Sequence, residues 1–170
     1  MNFGLAAHRL HRLGPDSNLL RWVRACESGL QALGLGLHAT GGAFDALTKY
    51  KLLAGQLTAV GDGRDGGLMR LVSRMAGGLQ AQHALAGVFF LVDPVDPTSI
   101  YPEAMALKRQ CVIHGKPFVS TLAGAMEWVA VELANAGLKT ISVPEAAPLF
   151  ALENQVVALI AHDALKDTMV

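Results

Sequence analysis

Gly87-Val88-Phe89-Phe90-Leu91-Val92 is an unbroken apolar run, and Asp93-Pro94 closes it. An apolar run of strand length suits a central strand of a parallel sheet, buried on both faces. The proline that follows has no N–H to give to a ladder, so pairing stops there. Working outward, short apolar stretches alternate with longer helical patterns. Asn2–Ala7, Leu35–Ala39 and Leu57–Val60 read as strands before the run, and Phe118–Thr121 and Thr140–Val143 after it. Leu19, Leu20, Val23, Cys26 and Leu30 fall at helical spacing behind the N-cap candidates Asp16 and Ser17. Further helical stripes are Phe44, Leu47 and Leu52; Leu68, Leu71, Val72 and Met75; and Ala104, Leu107, Cys111 and Val112 behind Pro102. Met126, Val129, Val131 and Leu133 form another, and Ala147 to about Asp163 a last one. This alternation predicts an α/β fold, a three-layer, doubly wound parallel sheet that is flavodoxin-like in outline. Residues 1–170 read as one domain.

Composition narrows the function classes. Hydrophobic residues make up 52% of the chain and charged residues 16%. An average soluble domain carries about 25% charge, so some apolar surface is expected to meet another subunit. The formal net charge is zero and the basic residues are scattered, which argues against a nucleic-acid partner. No stretch reaches the roughly 18–20 apolar residues that span a bilayer. Phe3–Ala7 is cut short by Arg9, His11 and Arg12, too soon for a signal peptide. A cytoplasmic protein with no membrane partner is expected. Cys26 and Cys111 lie in helical apolar patterns and read as buried thiols. With no CxxC or paired Cys/His spacing, neither a metal nor a cofactor is expected.

In a doubly wound sheet, ligands bind beyond the carboxyl ends of the strands. Those ends carry His8 and Arg9, Thr40-Gly41-Gly42, Gly61 to Gly67, Asp93, and Ser120-Thr121. Most of these loops open a helix, whose first N–H groups attract anions. Glycine lets the backbone approach an anion closely, though the same glycines also serve tight turns. Thr40, Gly41, Gly42 and Gly61 are therefore candidate phosphate contacts. Asp65 lies in the glycine-rich loop. Asp93 lies at the lip of a buried strand, where partial shielding from water suits general-base work. His8 directly follows the first strand; His38, His83, His114 and His162 read as surface or helix-end histidines, and His11 shares the His8 loop. No GxGxxG follows strand one and no Walker lysine follows the glycine loop, which disfavours dinucleotide and P-loop readings.

In order, Ala7-His8, Ala39-Thr40-Gly41, the loop with Asp65, Phe89-Phe90-Leu91-Val92-Asp93-Pro94 and Gly115-Lys116-Pro117-Phe118-Val119-Ser120-Thr121 resemble the methylglyoxal synthase family from about Phe3 to Val143. The resemblance implies the methylglyoxal synthase-like fold. It also implies a lyase that converts dihydroxyacetone phosphate to methylglyoxal and inorganic phosphate. It matches Asp65 to the family's base, His8 and Asp93 to site residues, and Thr40 and Gly41 to part of the phosphate loop. It implies a homohexamer and a small phosphorylated substrate. The chain departs from the family at Arg9, where the family has aspartate, and at Gly42 and Ala43, where it has threonines. It also departs at Ile100 or its neighbour Tyr101, in place of a histidine. No arginine follows Arg109, so the family's C-terminal phosphate-binding arginine has no counterpart. Arg9, Arg12 and Arg64 are the candidate replacements, because guanidinium pairs bidentately with phosphate. These departures keep a second reading open, a non-catalytic module that binds a phosphorylated metabolite.

Overall fold

A computed structural model describes residues 1–78, 80–97 and 101–141. The strands are β1 (Asn2–Ala7), β2 (Gly36–Ala39), β3 (Leu57–Ala59), β4 (Gly87–Leu91) and β5 (Phe118–Val119). The helices are α1 (Asn18–Ala32), α2 (Gly41–Lys49), α3 (Leu68–Met75), α4 (Pro102–Ile113) and α5 (Leu122–Asn135). The strands form one sheet in the order β3-β2-β1-β4-β5, and every pairing is parallel.

The apolar run after Ala86 supplies β4, buried at every residue. Strand side chains alternate between faces, and the alternation builds two cores. Phe3, Leu5, Leu37, Phe89 and Leu91 pack with α1, α2 and α5. Ala6, Val88 and Phe90 pack with α3 and α4. The protein is therefore the three-layer α/β structure expected. Its strand order differs in detail from the 2-1-3-4-5 order of flavodoxin: the order reverses between β1 and β4. Phe89 is the centre of the larger core. Its ring lies 4.5 Å from Trp22, 5.1 Å from Phe3 and 5.2 Å from Trp128, centroid to centroid. Trp22 is fully buried, and its Nε1 donates to the Ala125 carbonyl at 3.1 Å, so burial strands no donor.

Several expectations shift at element ends. Phe118–Thr121 pairs only over Phe118–Val119, because Thr121 caps α5, its Oγ1 accepting from the Gly124 N–H at 3.0 Å. Ser17 takes the N-cap position of α1 but makes no side-chain cap bond. Val112 (73% exposed) and Val131 (48%) lie off the buried faces of α4 and α5. Each is one or two steps of 100° from the buried row, Ala104-Leu107-Cys111 in α4 and Met126-Val129-Leu133 in α5. Thr140 and Ile141 are not in a strand. Residues 142–143, and the helix expected over 147–163 with His162, lie outside the described residues. Cys26 and Cys111 are buried as expected, and burial pushes their thiols up to about 12 and about 11, which keeps them protonated and inert. No helix among the described residues is long and apolar enough to cross a membrane.

His38 is a correction. Expected at the surface, it is 4% exposed inside β2. Its side chain faces α3, where its Nδ1 meets the Arg74 guanidinium. Burial, then Arg74, then His83 hold its pKa below the ordinary 6.5. Below that value the unfolded chain takes up a proton that the folded chain refuses. Stability from this site is thus present above about pH 6.5 and lost as pH falls toward the folded pKa. Thermal denaturation between pH 7.5 and 5.5 is expected to show the loss, at most about 1.4 kcal/mol per pH unit. His38→Gln, which still offers Arg74 an acceptor, should flatten that slope.

Candidate active site

Because the strand order reverses between β1 and β4, the crevice outside their carboxyl ends is the expected ligand site. A cavity of about 720 Å³ occupies it. Two neighbouring strand ends define one corner. The His8 N–H, directly after β1, donates to the Leu91 carbonyl at the end of β4 at 2.8 Å. The chain then turns through a short 3-10 helix, Arg9–His11. His11 is a strut here: its Nδ1 takes a hydrogen bond from Asn18 Nδ2 at 2.8 Å, which leaves Nε2–H to donate to the Val92 carbonyl at 2.9 Å. That brace holds Arg9 and Arg12 on the cavity wall.

The opposite wall is the N-terminus of α2. Thr40 is 6% exposed and occupies the N-cap position without a side-chain cap bond. Thr40 and Gly42 both line the cavity. Gly41 and Gly61 stand behind it as a lock between loops: the Gly41 N–H donates to the Gly61 carbonyl at 2.8 Å. A Cβ on Gly41 would press within 3.2 Å of the Asp62 Cα. Gly61 has φ +93°, open to glycine and costly for other residues. A Cβ on Gly42 would run into the Arg12 guanidinium. The guanidinium therefore occupies the space a side chain at position 42 would fill, directly over the first turn of a helix.

The glycine-rich loop turns through Gly63–Gly67, where the Asp62 carbonyl accepts from both Asp65 N–H and Gly67 N–H at 3.1 and 2.7 Å. Asp62 and Gly63 line the cavity; Asp65 is exposed on the same loop and is not part of the lining. The Arg64 side chain and Ile100 lie outside the described residues. Tyr101 lines the cavity, with its hydroxyl near Gly63. Asp93 is half-buried beside His8, its Oδ1 accepting from the Val95 N–H at 3.1 Å. That turn carries Asp96 to the cavity wall, where its Oδ2 lies 3.1 Å from His8 Nε2.

The structure thus brings His8, Arg9, Arg12, Thr40 and Gly42 to one cavity, with Asp93 at its corner. Sequence reading missed Asp62 and Asp96. Asp62 was legible as a second carboxylate of the glycine loop. Asp96 had only its spacing to Asp93, on a turn whose direction no local pattern reveals.

No protein family and no curated protein matches the sequence. Among solved structures, the methylglyoxal synthase of Elizabethkingia anophelis NUHP1 is similar, at 25% identity with a TM-score of 0.58, covering 76% of each chain. The chain therefore shares the fold of an enzyme, methylglyoxal synthase, over most of its length.

Proposed function

We propose that the protein is a lyase that converts dihydroxyacetone phosphate to methylglyoxal and inorganic phosphate. The observation that carries this reading is the Arg12 guanidinium over Gly42, at the N-terminus of α2 and inside the switch-point cavity. A guanidinium, a helix N-terminus and Thr40 converge there on a place for a phosphate. Arg9 on the same wall adds positive charge, and Arg64 belongs to the same loop as the base. Gly41 and Gly61 keep the two loops close enough to share one anion. The base comes from the glycine-rich loop, where the resemblance assigns it to Asp65. It removes a proton from the carbon bearing the hydroxyl, and an enediolate forms. The enediolate electrons then expel phosphate with the C–O bonding pair, and the enol left behind ketonises to methylglyoxal. His8 and Asp93 border the reacting carbons from the β1–β4 corner. The reading needs no metal or cofactor and includes a homo-oligomer, the hexamer of the resemblance. Exposed Met105, Val112 and Ile113, close together on one side of α4, support a covered surface there.

The test is methylglyoxal and phosphate release from dihydroxyacetone phosphate by the purified protein, expected in equal amounts. Arg12→Ala is expected to raise KM about 10- to 100-fold, since a charged hydrogen bond contributes roughly 1.5–3 kcal/mol. Gly42→Ala should act in the same direction by evicting the guanidinium. An unchanged KM in both variants removes Arg12 from the phosphate site. Absence of turnover together with thermal stabilisation by dihydroxyacetone phosphate favours the second reading, a binding module without catalysis. Arg9 on the cavity wall, where the family carries aspartate, is the observation on its side.

A further inference from the structure

His8, Asp93 and Asp96 offer ligand atoms that all lie within 4.8 Å of one another. Such a set could hold a divalent cation or could be a hydrogen-bonded pair with a neighbouring acid. The His8 ring decides between them. Its Nδ1 faces the Leu10 N–H at 3.3 Å and accepts from it. An imidazole that binds a metal through Nε2 must carry its proton on Nδ1, and it ordinarily donates that proton to an oxygen. Here that proton would point at another N–H. The neutral ring that fits these neighbours carries its proton on Nε2, 3.1 Å from Asp96 Oδ2. The side chain of His8 is 8% exposed and that of Asp96 36% exposed, with both residues on the cavity wall.

We propose that Asp96 is a positioning residue, which accepts the Nε2–H of His8 and aims that edge of the ring at the cavity. The backbone fixes the tautomer from one side and Asp96 holds the direction from the other. Asp93 holds the turn through the Val95 N–H, and Asp96, carried on that turn, brings its Oδ2 to 3.1 Å from His8 Nε2. A neutral ring has one N–H, so an oxygen of the bound substrate shares the Nε2–H with Asp96 in a three-centre bond, and His8 acts there as a donor and not as a base. That last step rests on the proposed lyase reading; the geometry of the pair does not.

The experiment has two arms on the intact protein. Nitrogen-15 NMR of the histidine rings at pH 8 is expected to show the Nε2–H form for His8, with a downfield, slowly exchanging Nε2 proton. That proton signal should disappear in Asp96→Ala and return in Asp96→Glu, while thermal melts confirm that both variants fold. In the kinetic arm, Asp96→Ala should lower kcat at least about tenfold, toward the range of a misaligned acid–base group, with KM within about twofold. Asp96→Glu should recover part of it. An Nδ1–H ring in the wild type overturns the proposal, as does an unchanged Nε2 proton in Asp96→Ala. So does binding of one equivalent of Zn²⁺ or Mn²⁺ that shifts the His8 nitrogens, because the triad is then a metal site. If the wild type turns over but Asp96→Ala keeps its kcat, the positioning role falls. If the wild type does not turn over, the lyase reading falls and the NMR arm alone judges the pair.

Discussion

Asp65→Asn is expected to lower kcat for methylglyoxal formation by about 10²- to 10⁴-fold, the loss typical of a missing general base. Asparagine keeps the size and polarity of the side chain but cannot take a proton, so KM should stay close to the wild-type value. Asp62→Asn is the companion measurement. Asp62 lines the cavity, and its main chain holds the loop together through its carbonyl. Its side-chain replacement leaves that carbonyl in place, so the loop should keep its shape. The expected cost there is about tenfold or less in kcat. The reverse outcome, a dead Asp62→Asn and a working Asp65→Asn, carries its own meaning. The loop Gly61-Asp62-Gly63-Arg64-Asp65-Gly66-Gly67 holds two carboxylates, one turn apart. A role at Asp62 would mean that the loop register differs from that of methylglyoxal synthase, and that the cavity wall rather than the motif identifies the base. A pKa-matched rescue is not expected in either case, because an amide does not titrate in water.

Phe89→Ala is expected to cost about 3–5 kcal/mol, the range for removing a large buried aromatic side chain. Phe89 is fully buried at the middle of β4 and meets the rings of Phe3, Trp22 and Trp128. Each of those rings comes from a different element, β1, α1 and α5. The cavity left by alanine would loosen the sheet from the α1 and α5 layer at their junction. The neighbours are aromatic and cannot collapse into the gap without leaving their rotamers. Since domains are stable by only about 5–15 kcal/mol, the variant should melt well below the wild type or fail to accumulate as folded protein. Chemical denaturation followed by tryptophan fluorescence reads the loss directly. A cost below about 1 kcal/mol would show that this core tolerates a void. The candidate site would suffer as well, because the loop that follows β4 carries Asp93 and Asp96.

The sequence by itself determined the layers. Alternation of apolar runs with helical stripes is a local record of burial, and β1, β4 and the helix starts at Thr40 and Pro102 were all readable from it. So was the concentration of glycine and polar residues at the strand ends, because apolar strands leave their chemistry to the loops. The resemblance added proposed roles that no periodicity carries, such as that of Asp65 as base. Tertiary structure decided the rest. Strand order is set by crossovers, and the reversal between β1 and β4 put His8 beside Asp96, residues separated by about half of the chain. It set Arg12 over Gly42, so a position that reads as a candidate phosphate contact became the floor beneath a guanidinium. It buried His38 against Arg74, a partner 36 residues away that the apolar stretch Leu35–Ala39 does not reveal. Each of these is a contact between distant segments, whose energy depends on distance and direction in space. A local pattern records which face of an element is buried, and it does not record which side chain will be found on the other side.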